Sequence, residues 1–94
     1  MASSKDYLEY VLELLRNLDS ITYKKMMGEY LLYKDGILFG GIYDDRFLIK
    51  ITKSNNNLPL EIPYENAKKM YLVDTENPSE IEVLVNNVVN DLVN

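Results

Sequence analysis

Two tight turns that leave only seven residues between them constrain this chain more than any other feature. Lys34-Asp35-Gly36 and Asp44-Asp45 flank Ile37–Tyr43, a run of Ile, Leu, Phe, Gly and Tyr. Asp-Gly favours a hairpin because glycine takes positive φ without steric cost. Paired aspartates also tolerate turn conformations. A strand held between two such turns pairs antiparallel with the chain on either side of it. The stretch Ile21–Ile51 therefore reads as a β-meander, with Arg46–Ile51 as the strand after the second turn.

Pairing across the first turn sets a register: Tyr33 faces Ile37, Leu31 faces Phe39, Glu29 faces Gly41 and Met27 faces Tyr43. Covering the whole of Ile37–Tyr43 needs a partner that runs back through Gly28. This favours one long strand, roughly Thr22–Tyr33, with a bend or bulge at Gly28. A tight turn over Met26–Glu29 is the rival. Across the second turn, Ile42 faces Phe47, Gly41 faces Leu48, Gly40 faces Ile49 and Phe39 faces Lys50.

Helices flank the meander. Ser3 and Ser4 are N-cap candidates, and Leu8, Val11, Leu12, Leu15 and Leu18 recur at helical spacing, predicting a helix from about Ser4 to Leu18. Asn77-Pro78-Ser79-Glu80 has the form of a helix start, followed by a stripe of Ile81, Leu84, Val85, Val88 and Leu92. Between these lie a loop or irregular connection over 53–63, a short helix over Tyr64–Lys69 and a short strand over Met70–Val73. The predicted class is α+β in a single domain, 1–94. An antiparallel meander of about four strands carries the N- and C-terminal helices on one face, with a short helix before the last strand.

Composition narrows the chemistry. There is no histidine and no cysteine, so the commonest general base and the thiolate nucleophile are absent. No phosphate-cradling glycine motif occurs. Asp44-Asp45 is the best acidic pair, but a hard cation needs about six oxygen ligands, and a hairpin loop accounts for the pair. No catalytic residue, metal or cofactor is expected. The net charge of −5 argues against nucleic-acid binding, and the only adjacent basic pairs are Lys24-Lys25 and Lys68-Lys69. MASSKDYLEY lacks a signal-peptide apolar run, and no apolar stretch nears the roughly 18 residues of a membrane span, so a cytoplasmic protein is expected.

Side chains alternate across a sheet. One face then carries Tyr30, Leu32, Leu38, Ile42, Phe47, Ile49 and Ile51 and belongs under the helices. The other mixes aromatic, aliphatic and charged residues, of the types enriched where proteins meet. On it Met27, Leu31, Tyr33, Phe39, Tyr43 and Leu48 form apolar anchors, and Arg46 and Lys50 supply charge. These eight residues are the candidate surface for a protein partner or a homodimer. Cover by the last helix or the Asn-rich loop is the plain structural alternative. Gly28, Gly40 and Gly41 also leave a patch free of side chains, which a small ligand or a close-packed helix could fill.

Tyr23-Lys24-Lys25-Met26-Met27-Gly28-Glu29-Tyr30, Tyr33-Lys34-Asp35-Gly36, Phe39 and Asp44-Asp45-Arg46-Phe47-Leu48-Ile49-Lys50 resemble the N-terminal domain of the TfoX/Sxy family. Met27 stands where that pattern usually has Phe, and Glu29 where it usually has Gly. The resemblance implies an α+β domain and a part in regulating competence genes with a transcription activator such as the cyclic-AMP receptor protein. The function expected is a small, non-catalytic regulatory or protein-interaction module. The alternative is a small-ligand-binding or enzymatic domain.

Overall fold

The computed structural model describes residues 3–55 and 57–94. Met1 and Ala2 of the N-terminal stretch, and Asn56 in the Asn-rich connection, lie outside the described residues. The fold is α+β, with helices α1 (Lys5–Leu14) and α2 (Pro78–Val93) on one antiparallel sheet. The strands are β1 (Ile21–Met26), β2 (Glu29–Lys34), β3 (Ile37–Ile42), β4 (Phe47–Ile49), β5 (Leu60–Glu61) and β6 (Met70–Leu72). They lie in the order β1-β2-β3-β4-β6-β5, six strands where about four were predicted. The extra ones arise because the first long strand divides in two and the irregular connection contributes a short edge at β5.

Three successive hairpins use the same device. Each loop has two residues, and both take positive φ: Met27 at 52° and Gly28 at 84°, Asp35 at 51° and Gly36 at 78°, Asp44 at 53° and Asp45 at 54°. Turns of this mirror-image type match the right-handed twist of the flanking strands. KKMMGEY is therefore a hairpin, and the predicted continuous strand over Thr22–Tyr33 is corrected. Lys24, Lys25 and Met26 end one strand, Met27-Gly28 is the loop, and Glu29-Tyr30 begin the next.

The β2–β3 register differs as well. A two-residue loop pairs Lys34 with Ile37 and Tyr33 with Leu38, one step from the predicted pairs. A bulge follows, since Leu32 pairs with Gly40 and Phe39 is left as the extra residue. Bulged residues break the alternation of faces. Phe39, predicted on the mixed face, is instead fully buried in the cluster beneath the helices. Leu38, predicted under the helices, lies outside that cluster. The β3–β4 register holds as read: Gly40 with Ile49, Gly41 with Leu48 and Ile42 with Phe47.

Both helices pack on one face of the sheet. Leu8 and Val11 of α1 meet Ile81, Val85 and Val88 of α2 in one cluster with Leu32, Phe39, Ile42 and Ile49. Ser4 caps α1, its Oγ accepting from the Tyr7 amide at 3.1 Å. The regular helix stops at Leu14, short of the predicted Leu18, and the chain turns toward β1. Asn77 caps α2 as predicted, its Oδ1 accepting from the Ser79 amide at 2.8 Å.

The predicted helix over Tyr64–Lys69 does not form. Tyr64 accepts one hydrogen bond from the Ala67 amide at 3.0 Å, closing a single turn. Asn66 sits at φ 69°, a left-handed conformation that no right-handed helix continues through. Ile51 falls beyond the end of β4 and is 47% exposed, so it does not join the core face.

Candidate functional site

The sheet face away from the helices divides into a covered half and an open half. The cover comes from segment 62–69, not from α2 or the Asn-rich loop. Arg46 holds this segment down: its Nη1 donates to Glu61 Oε1 at 2.8 Å, and its Nη2 donates to the Ile62 and Pro63 carbonyls, each at 3.2 Å. Its Nε donates to the Tyr43 carbonyl at 3.1 Å, bonding the same guanidinium to the β3–β4 loop. Tyr43 lies against Tyr64, ring centroids 6.1 Å apart. Burial pushes the Tyr43 phenol above its ordinary pKa, and the neighbouring Tyr64 adds to the shift.

The missing side chain at Gly41 explains how the Tyr43 ring can lie so close to the sheet backbone. A Cβ on Gly41 would sit 2.8 Å from Tyr43 Cε2 and 2.7 Å from the Tyr30 carbonyl. A Cβ on Gly40 would sit 2.3 Å from the Leu48 carbonyl. The Gly40-Gly41 patch is thus filled from within, by the Tyr43 ring and the neighbouring strand. Leu48 has no exposed surface although it lies outside the helix-side cluster. Substituting Tyr43 or Leu48 would therefore probe the fold before any partner.

The open half belongs to β1 and β2. Thr22 pairs with Tyr33, Lys24 with Leu31 and Met26 with Glu29, so these six side chains share the face. β1 is an edge strand, and every residue from Thr22 to Met26 is exposed. Met27, at the hairpin tip, is 96% exposed. Of the eight predicted residues, Met27, Leu31 and Tyr33 sit on or beside this open half. Tyr43, Arg46, Leu48 and Lys50 belong to the covered half, and Phe39 is on the opposite side of the sheet.

Glu29 has a role that no motif announces. Its Oε1 accepts from the Ser3 amide at 3.0 Å and from Ser3 Oγ at 2.6 Å. Its Oε2 accepts from the Asp44 amide at 3.1 Å. The Asp45 amide donates to Ser3 Oγ at 3.1 Å, and the Ser4 amide donates to Asp45 Oδ1 at 2.8 Å. One carboxylate thereby joins the start of α1, the β1–β2 hairpin and the β3–β4 loop. Among the described residues, no group of three or more acidic side chains is arranged to hold a metal ion.

Sequence reasoning missed three contributors to the covered half: Tyr64, Lys68 and Lys69. The Lys68-Lys69 adjacency was a signal, but only the fold shows that it lines one cleft with Lys50.

These features define a class: a small α+β domain, an antiparallel sheet of successive hairpins under two helices, with one face partly roofed and partly open. The family model of the TfoX N-terminal domain matches residues 13–79, and the chain belongs to that family. A comparison with curated proteins found no match. No helix among the described residues is long and apolar enough to cross a membrane.

Proposed function

We propose that the protein is a non-catalytic regulatory module, acting in the cytoplasm in the control of competence genes by capturing a protein partner. Family membership supports the regulatory role. The observation that carries the capture reading is Met27. It is almost fully exposed and holds a left-handed φ of 52° that a non-glycine residue adopts at a cost. The fold gains no packing from this side chain. Such local costs gather at sites with another use. With Met26, Leu31, Tyr33 and Lys24 it forms an apolar strip carrying one cation, a composition suited to a partner.

Affinity capture from native cells with the full chain tests this, comparing wild type with Met27→Asn and Lys24→Glu. Both positions are exposed, so both variants keep the fold. Loss of a protein that wild type retains is the expected result. Equal retention by both variants would remove the open half from the reading, and light scattering on the same samples separates a second copy from a different partner.

A further inference from the structure

A cleft of about 670 Å³ opens between the covered half of the sheet and segment 62–69. Leu38, Tyr43, Tyr64, Lys50, Lys68 and Lys69 are among the residues that line it. The volume falls within the roughly 300–1,000 Å³ usual for small-molecule sites. The charge is unusual for this molecule. The chain has 10 basic residues against 15 acidic ones, yet three of those basic residues line one cleft and no Asp or Glu does. The cleft beside the start of α2 carries Asp74 and Glu80, so basic lining is no general property of the surface. Among the described residues, the ion pairs are Arg16–Glu13, Lys34–Asp35 and Arg46–Glu61, and none involves the three cleft lysines. Three lysines and no carboxylate along one cleft favour an anion there over a neutral molecule.

We infer that this cleft binds a small organic anion with a flat apolar body. The body lies against Tyr43, Tyr64 and Leu38, and the anionic group, a carboxylate or a phosphate, meets Lys50, Lys68 and Lys69. Arg46 keeps the site formed by holding Ile62 and Pro63 in place. The cleft shares no residue with the Met27 strip, so it stands or falls separately from partner capture.

The test is an amide NMR titration of the full chain. AMP and 4-hydroxybenzoate are the anionic probes, adenosine and 4-hydroxybenzyl alcohol their neutral counterparts. Saturable shifts at Lys50, Tyr64 and 67–70 with at least one anion are expected, and which anion responds separates phosphate from carboxylate. The matching neutral probe binds at least about tenfold more weakly, as does the anion to Lys68→Glu/Lys69→Glu, whose exposed positions leave the fold intact. Equal binding of neutral and charged probes, undiminished binding to the double variant, or shifts confined to other surfaces would overturn the inference. So would saturable binding of single-stranded oligothymidylate alone while both small anions fail.

Discussion

Replacing Phe39 and Leu38 separately tests the bulge that sets which face each residue occupies. Regular alternation would place Leu38 under the helices and Phe39 on the other face. The bulge between Leu32 and Tyr33 reverses them. Phe39 has no exposed surface and sits in the central cluster. Truncating such a side chain removes its transfer energy and leaves a cavity, about 3–5 kcal/mol for Phe→Ala. Leu38 is partly exposed and borders the open cleft, where water can occupy the vacated space. Full burial of a leucine is worth about 1.5–3 kcal/mol, so a half-buried one loses about 1 kcal/mol. For a domain this size the urea dependence is about 1 kcal/mol per molar. Phe39→Ala should then lower the unfolding midpoint by about 3 M or more, and Leu38→Ala by about 1 M. The chain has no tryptophan, so far-ultraviolet circular dichroism is the readout. Leu38→Ser and Phe39→Ser sharpen the contrast: the first folds and the second does not. Equal losses for the two alanine variants, or the reverse order, would refute the bulge and restore the regular register.

Met27→Asn should stabilise the protein by about 0.5–1 kcal/mol, a rise in melting temperature of about 2–8 °C, because Asn-Gly suits a loop with two positive φ values and no packing is lost. An unchanged or lower melting temperature would show that Met27 bears no strain. Asp91 should titrate below the usual carboxylate range, since Ser54 donates to it through Oγ at 2.7 Å and its amide at 2.8 Å. A carboxyl held more acidic in the folded state contributes stability that is present above the ordinary aspartate pKa and lost as pH falls through its own lowered value. Ser54→Ala should move the Asp91 titration back up in a carboxyl NMR experiment, and an ordinary value in the wild type would contradict the bonds.

The hairpins were legible where the chain spells them in polar turn residues. Asp35-Gly36 and Asp44-Asp45 identified themselves, and the β3–β4 register followed from the second. Met27-Gly28 forms the same kind of loop, but a methionine in that conformation runs against local preference and hides the turn. Counting Lys34 into the Asp35-Gly36 loop shifted the predicted pairs by one. The bulge was beyond reach, because Leu38 and Phe39 are both apolar and either could fill the core. What chose Phe39 is packing beneath α1 and α2, a tertiary cause with no trace in the alternation. Helix starts were readable from Ser4 and Asn77, whereas the helix over Tyr64–Lys69 failed because Asn66 takes a left-handed conformation instead.

The candidate surface changed for the same reason. A pattern of aromatic, aliphatic and basic residues reads as a partner face only while nothing lies over it. Arg46 was counted as a directional contact for such a partner, yet its donors already go to Tyr43, Glu61, Ile62 and Pro63 of its own chain. Tyr43 is likewise occupied, covering Gly41 and meeting Tyr64. With those contacts satisfied internally, half the face is fold and the other half is free. The free half is the strip around Met27, Leu31 and Tyr33, whose edge strand β1 keeps an unpaired side. Lys24 and Lys25 on that edge oppose its pairing with another copy of itself, since charged edges resist strand addition. A partner carrying acidic side chains meets no such barrier, and Lys24→Glu, which reverses the charge without touching the core, should exchange one preference for the other.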